Sequence, residues 1–132
     1  MKHVVVVEDD PVNATLFREL LERRGGYQVT HTESPEAVQR LVREGADLVL
    51  LDVTLRDSSH EGRPVNGVDI CRLLKRDPAT AQVPVILASA HAMRGDGEKL
   101  LAESGADGYV SKPILDHEAF IQQIRLALPE AA

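Results

Sequence analysis

The sequence predicts an α/β protein in which a parallel five-stranded sheet is covered by helices on both faces. Short aliphatic runs without polar alternation, at Val4 to Val7 and Leu48 to Leu51, are typical of strands buried on both faces. A segment with the apolar spacing of a helix follows each of five predicted strands. An alternation of this kind forces right-handed crossovers and therefore a parallel sheet with helices on both sides.

Composition fits one domain and excludes several classes of protein. The chain has 132 residues, 43% of them hydrophobic, which is ordinary for a domain with a single core. A net charge of -6 without a basic cluster argues against nucleic acid as a partner. The first apolar run meets Glu8 at once, so neither a signal peptide nor a membrane span is predicted. The single cysteine, Cys71, fits a reducing compartment, and a cytoplasmic location is expected.

The first half of the chain predicts three strands and two helices. Asp10 and Pro11 begin a helix after the first strand, and Gly25-Gly26 end it. Its predicted apolar stripe consists of Val12, Leu16, Phe17, Leu20 and Leu21. The half-polar residues 27–32 indicate an edge strand. Ser34 and Pro35 begin a second helix, which Gly45 ends before the central strand 48–52, and its inner face is predicted to be Val38, Leu41 and Val42.

The second half predicts two more strands and three helices. Residues 56–67 are polar and rich in turn formers, which predicts a loop of unusual length and no regular structure. A third helix with Val68, Cys71 and Leu74 inside ends at Asp77-Pro78. Strand 83–88 follows, then a helix from about Met93 to Ser104 that Gly95 and Gly97 weaken. After strand 108–111, Asp116 caps a last helix whose buried face is predicted to be Phe120, Ile121, Ile124 and Leu128.

Chemically active side chains stand where four of these strands end. Strands one, three, four and five run into Glu8-Asp9-Asp10, Asp52, Ser89 and Lys112 respectively. Because the carboxyl ends of parallel strands meet at one edge, these groups are expected to converge on one crevice. Clustered carboxylates need a cation, and oxygen ligands with room for water favour Mg²⁺. A phosphoryl group fits beside it, since a carboxylate such as Asp52 attacks phosphorus to form an acyl phosphate.

At these residues the sequence resembles the receiver domain of two-component response regulators. The matching motifs are Val6-Val7-Glu8-Asp9-Asp10, Leu50-Leu51-Asp52, Ala88-Ser89-Ala90 and Gly108 to Pro113, and the likeness extends from about Lys2 to Leu128. The resemblance implies a flavodoxin-like (βα)5 fold and a single response regulatory domain over residues 1–132 with no output domain. It also implies that Asp52 accepts a phosphoryl group from a phosphohistidine donor.

The resemblance further implies roles for individual residues. Asp9 looks like the direct Mg²⁺ ligand and Glu8 the water-mediated one, with Asp52 and the Thr54 backbone carbonyl completing the protein ligands. Asp10 falls just past the usual acidic pair and is assigned to helix capping. By the same match Lys112 and Ser89 contact the phosphoryl group, Ser89 and Tyr109 form the conformational switch, and the Lys112-Pro113 bond is cis.

The implied partners are proteins. A sensor histidine kinase or a histidine phosphotransfer protein is the expected donor. A downstream target is expected on the surface of the fourth helix, last strand and last helix. The protein itself is expected to be a monomer or a phosphorylation-dependent homodimer.

Two departures from the family pattern enlarge the loop after Asp52. Arg56 stands where the family usually has proline, and the family's glycine comes about seven residues sooner than Gly67. We therefore hypothesise that the 56–67 loop governs access or partner choice rather than the chemistry.

Three further functions remain open at this level. A haloacid-dehalogenase-like phosphatase also forms an aspartyl phosphate, but it needs an acid two residues after its nucleophile, where this chain has Thr54. The protein is therefore not expected to be an enzyme beyond its own phosphorylation and dephosphorylation. The second function is that of a carrier that passes the phosphoryl group to a histidine phosphotransfer protein. The third is that of a receiver-like binding module that works without phosphorylation.

Overall fold

Five parallel strands form the central sheet, as predicted. The computed structural model describes residues 1–55, 59–90 and 97–128. The strands are β1 (His3–Val7), β2 (Gln28–Thr32), β3 (Leu48–Asp52), β4 (Val85–Ser89) and β5 (Gly108–Ser111), and they lie in the order β2-β1-β3-β4-β5. All four neighbouring pairs are parallel. The half-polar β2 lies at an edge, which confirms that prediction, and β3 lies in the centre.

Helices cover both faces of the sheet, which confirms the predicted fold class. They are α1 (Pro11–Glu19), which continues as a π-helical turn (Leu20–Arg24), α2 (Pro35–Arg43), α3 (Gly67–Arg76), α4 (Gly97–Ser104) and α5 (His117–Ala127). Within the described ranges, no helix has both the length and the apolar character that crossing a membrane requires.

Alternation along each strand builds two cores. Val4 and Val6 point to the face that packs against α1 and α5, where the rings of Phe17 and Phe120 stack with centroids 5.7 Å apart. Val5 and Val7 point to the opposite face, where α2 and α3 contribute most of the buried side chains. Since β3 is buried at all five positions, Asp52 is carried to the sheet edge by a strand that is covered on both faces.

Side-chain caps fix where the helices begin, and therefore how each loop leaves the site. Asp10 accepts a hydrogen bond from the Val12 amide, Ser34 from the Ala37 amide and Asp116 from the Ala119 amide. These three caps confirm the sequence predictions. The α3 helix has a reciprocal capping box between Asn66 and Asp69, two residues for which the sequence predicts no role.

Two predictions about the fold are wrong. The helical spacing predicts Val12 in the apolar stripe of α1, but Val12 is 75% exposed, because the first turn of α1 starts at the sheet edge before the helix reaches the core. The polar composition of residues 56–67 predicts no regular structure, but Ser59–His60 and Arg63–Pro64 pair as a short antiparallel hairpin. We call this element the inserted hairpin. The predicted start of the fourth helix at Met93, with Gly95, lies outside the described residues, as does Arg56.

Candidate functional site

Three carboxylates converge at the carboxyl edge of the sheet. Glu8 and Asp9 follow β1 directly, and Asp52 is the last residue of β3, the neighbouring strand. One oxygen atom from each of the three lies within 4.8 Å of the others. Glu8 and Asp52 are almost fully buried, with 1% and 2% exposure, and Asp9 is half-buried. The predicted convergence of these acids is therefore present in the fold.

Lys112 supplies the positive charge that this cluster needs. Its Nζ lies 2.9 Å from Asp52 Oδ1 and 3.2 Å from Glu8 Oε1, although these residues are far apart in sequence. The Lys112 amide donates a hydrogen bond to the Ser89 carbonyl at 2.9 Å, which fixes the chain just after β5. The following Lys112-Pro113 bond is cis, as the resemblance implied. A buried cation therefore bridges two buried carboxylates, and both ion pairs are short enough to be hydrogen-bonded.

Burial and mutual repulsion raise the proton affinity of Glu8. Burial is the largest cause, the neighbouring Asp52 adds to it, and together they raise the pKa of Glu8 to about 7 against the attraction of Lys112. For Lys112, burial alone would lower the pKa, but the hydrogen bond and attraction to Asp52, with the charge of Glu8, raise it above its ordinary value. The ammonium is therefore retained at neutral pH, while Glu8 holds a proton for part of the time.

Backbone amides also orient the two buried acids. The Thr54 amide donates to Asp52 Oδ1 at 3.3 Å, and the Asp10 amide donates to Glu8 Oε2 at 3.3 Å. Thr54 follows directly on the strand end, so its backbone is close to the carboxylates. Amide donors stabilise the charged form of a carboxylate, and they fix the direction in which its oxygen atoms point.

Two residues near the acids were not predicted. His31 Nε2 lies 2.6 Å from the Glu8 carbonyl oxygen and holds the loop after β1. His31 belongs to β2, a strand whose end carries no acid or hydroxyl pattern that would have grouped it with the other strand ends. Gly67, the first residue of α3, lies against the backbone of Asp52: a β-carbon there would come within 2.8 Å of the Asp52 carbonyl carbon. The Gly67 amide also donates to the Val53 carbonyl at 2.9 Å.

The two predicted switch residues lie on adjacent strands. Ser89 ends β4 with 3% exposure, and Tyr109 is half-buried in β5. The ring of Tyr109 packs against the start of α4, where a β-carbon on Gly97 would lie within 2.6 Å of three ring carbon atoms. The Tyr109 carbonyl accepts a hydrogen bond of 2.6 Å from Gln123 of α5. Tyr109 therefore contacts both helices of the face on which the downstream target is expected.

The donor set of the acidic cluster fits a magnesium ion. Mg²⁺ takes oxygen ligands in a small octahedron and binds through one or two carboxylates, keeping several waters. Glu8, Asp9 and Asp52 offer three carboxylates at the required closeness, and among the described residues they are the group able to hold a metal ion in this way. No nitrogen or sulphur ligand takes part, so the set favours a hard divalent cation.

Comparison with known proteins agrees with this arrangement. A family model described as the response regulator receiver domain matches residues 4–125. A polar-differentiation response regulator DivK from Brucella ovis is 37% identical over 131 residues, which are 98% of this chain and 98% of that protein. A DivK from Brucella anthropi is 36% identical, with the same coverage.

Solved structures show the same fold at lower identity. The receiver domain of the sensor histidine kinase PA1611 from Pseudomonas aeruginosa PAO1, which has a magnesium ion coordinated in its active site cleft, aligns with a TM-score of 0.77 at 24% identity, over 96% of both chains. Chemotaxis protein CheY4 of Vibrio cholerae aligns with a TM-score of 0.79 at 16% identity, over 97% of this chain and 99% of that one. The sheet and its helices are therefore arranged as in these flavodoxin-like proteins.

Proposed function

Because this chain belongs to the response regulator receiver domain family of two-component signalling, we propose that Asp52 accepts a phosphoryl group from a phosphohistidine donor protein. One observation carries the proposal above all: a buried aspartate at the end of the central strand lies 2.9 Å from the Lys112 ammonium, beside two further carboxylates. An oxygen atom of Asp52 attacks phosphorus, the P–N bond breaks, and the imidazole nitrogen of the donor keeps the electron pair. The product is an acyl phosphate on Asp52.

The chain's own residues orient the nucleophile and neutralise charge. The Thr54 amide and Lys112 both hold Asp52 Oδ1, so the carboxylate keeps one orientation. Lys112 stays charged at neutral pH and lies close enough to accompany the transferred oxygen atoms. The Ser89 hydroxyl on the adjacent strand is a second donor for the same group, and it would contribute about 1.5 to 3 kcal/mol to a charged acceptor.

We assign the magnesium site to the acidic cluster. Asp9 would bind the ion directly, Glu8 through water, and Asp52 and the Thr54 carbonyl would supply the remaining protein oxygens. When bound, Mg²⁺ supplies the positive charge that neutralises the phosphoryl oxygens. The half-buried position of Asp9 and the closeness of the three carboxylates support this assignment.

Output would pass through a change of surface. Contact of Ser89 with the phosphoryl group would draw it inward and let the Tyr109 ring follow, which moves the start of α4. A hydrogen bond contributes only a few kcal/mol, so the free protein should already populate part of the active form. We propose that a downstream protein, or a second copy in a phosphorylation-dependent homodimer, reads the surface of α4, β5 and α5. The donor would be a sensor histidine kinase or a histidine phosphotransfer protein in the cytoplasm.

We do not propose an enzyme that acts on other molecules. Thr54 stands where a haloacid-dehalogenase-like phosphatase needs an acid, and its side chain is exposed. A carrier that hands the phosphoryl group to a histidine phosphotransfer protein would use the same site, and so would the first chemical step of any signalling form. A module that works without phosphorylation would not need the ion pair of Lys112 with Asp52.

Mass spectrometry after incubation with acetyl phosphate and Mg²⁺ tests the proposal. We expect one added phosphoryl group that is stable in acid and labile in base. The label should be absent from Asp52→Asn and from samples with excess chelator. Asp116→Asn is the matched control, because asparagine caps α5 as well as aspartate does. Equal labelling of Asp52→Asn and the control would overturn the assignment, and rapid turnover of phosphomonoesters would favour the phosphatase.

Amide NMR spectra with beryllofluoride, which stands in for the phosphoryl group, test the switch. We expect shifts at Tyr109 and along α4 as well as around Asp52. Shifts confined to residues that touch Asp52 would refute the switch and favour the carrier.

A further inference from the structure

The inserted hairpin is an ordered wall between α2 and α3. Its two strands pair through Ser59 with Pro64 and His60 with Arg63. Both turn residues, Glu61 and Gly62, have positive φ angles of 52° and 80°, the form that matches the twist of a two-residue hairpin. His60 Nδ1 lies 3.0 Å from Glu36 Oε1, which ties the hairpin to α2. The hairpin therefore has a fixed position relative to the helices beside it.

A groove of about 610 Å³ separates this hairpin from the outer surface of α3. Small-ligand and peptide side-chain sites commonly measure roughly 300 to 1,000 Å³, so the groove is large enough for a segment of a partner. Half-buried Val65 and Leu73 give it an apolar part. None of the acidic-site residues Glu8, Asp9, Asp52 and Lys112 lines it.

The charges along the groove are mainly positive, although the whole chain carries -6. Arg63 lies on the hairpin side, and Arg72 and Arg76 lie on α3. All three are exposed, and in the part of the chain that the structure describes neither Arg63 nor Arg76 has an acidic partner. Arg72 donates from Nε to the Glu103 carbonyl at 2.7 Å, which fixes its stem along α3.

The two acids of the groove are already engaged. Asp69 accepts a hydrogen bond of 3.0 Å from the Asn66 amide as part of the capping box. Glu61 lies 3.8 Å from His60 Nε2 at the hairpin turn. The guanidinium groups are therefore the polar groups with unused donors in this groove, and guanidinium binds carboxylates in a two-pronged, directional way.

We propose that this groove binds an extended acidic segment of a partner protein, with carboxylates on Arg63 and Arg76 and an aliphatic side chain against Val65 and Leu73. The groove is lined by no phenylalanine, tyrosine or tryptophan on which a nucleotide base would stack. The mixture of apolar contact and separate arginines instead fits a peptide. The binding does not depend on phosphorylation at Asp52, and it gives the enlarged loop a role in partner choice.

The test uses the full-length ¹⁵N-labelled protein and a peptide of alternating glutamate and leucine residues. We expect saturable amide shifts along the hairpin and along the α3 residues between Arg72 and Arg76. Affinity should fall roughly tenfold or more in Arg63→Gln/Arg76→Gln, since each charged hydrogen bond contributes to binding. The control Arg23→Gln/Arg40→Gln makes the same change of charge on exposed helix positions and should bind as the unaltered protein does. A peptide with lysine in place of glutamate should not bind.

Three outcomes would overturn the proposal. The first is an absence of saturable shifts in the groove up to millimolar peptide. The second is an equal loss of affinity in the groove variant and in the control. The third is tighter binding of ATP than of the peptide at the same residues. Acetyl phosphate labelling of the groove variant should be unchanged, so failure here is distinguishable from failure of the proposed phosphorylation.

Discussion

Gly97 and Tyr109 pack so closely that the first residue of α4 has no room for a side chain. A β-carbon at position 97 would lie within 2.6 Å of three carbon atoms of the Tyr109 ring, closer than real side chains approach. The sequence suggested that Gly97 weakens its helix. The structure adds that this glycine admits the ring of the predicted switch residue. The helix and the ring can therefore move only together.

Gly97→Ala should be destabilising, although alanine favours a helix over glycine. Overpacking against the ring should lower the free energy of unfolding by about 1 to 3 kcal/mol. In a Tyr109→Ala background the same change should instead be neutral or stabilising by up to about 1 kcal/mol. Urea unfolding followed by circular dichroism measures both, since the chain has no tryptophan. An identical effect of Gly97→Ala in the two backgrounds would show that the ring contact has no energetic weight.

Lys112→Met should destabilise the protein by leaving Glu8 and Asp52 buried without their cation. Breaking a buried ion pair on one side costs about 3 kcal/mol or more, because the remaining charges have no compensation. The loss should be largest above pH 7 without divalent ions, and Mg²⁺ should restore part of it. Lys99→Met is the control, since the Lys99 side chain is 73% exposed. Similar losses for both lysine variants would contradict the central role of Lys112 in the cluster.

The raised pKa of Glu8 predicts that stability falls as pH rises, in the absence of metal. A carboxyl whose pKa is about 7 in the folded protein and 4.5 otherwise holds its proton more tightly when folded. Its contribution is complete below pH 4.5 and is lost between pH 4.5 and 7, by about 3 kcal/mol at most. Glu8→Gln, which mimics the protonated form, should remove this decline and be the more stable protein at pH 8.

Urea unfolding in chelator across this pH range measures the effect of Glu8. Exposed Glu19→Gln serves as the control and should retain the decline. If Glu8→Gln and Glu19→Gln follow the same pH profile, then Glu8 is not the group that titrates.

Cys71 should react with thiol reagents only when the protein opens. Burial raises the pKa of this thiol to about 11, so the reactive thiolate is scarce at pH 8 and is also inaccessible. Iodoacetamide labelling followed by mass should be slow in buffer and fast in urea. A rapid reaction of the folded protein would mean that α3 separates from the sheet far more often than its packing suggests.

Much of this architecture could be predicted from the sequence, because the signals for it are local. The bounds of strand 48–52 agree with the prediction to the residue, since an unbroken aliphatic run ending in an acid has few competing interpretations. The caps at Asp10, Ser34 and Asp116 are equally local. From the alternation of strands and helices it followed that Lys112 would meet Glu8, although 104 residues separate them.

Features that depend on contacts between distant segments were missed. The exposure of Val12 depends on where α1 starts relative to the sheet, and helical spacing alone does not encode that. The inserted hairpin has only two residues in each strand, too few for a periodic signal, and its stability comes from the turn and from Glu36. The contacts of His31 with Glu8 and of Gly67 with Asp52 involve backbone atoms, which side-chain patterns do not report.

Val53 and Gly67 are joined by a hydrogen bond, so residues 54–66 leave and return to the same point beside Asp52. A closed excursion of this kind is anchored independently of its contents. Doubling the length of such a loop adds only about 0.6 kcal/mol of closure entropy. The segment can therefore be lengthened, shortened or replaced as a cassette while the acceptor keeps its position. Related proteins are free to diverge in this cassette, and exchanging it whole offers a way to redirect one phosphorylation site to new partners.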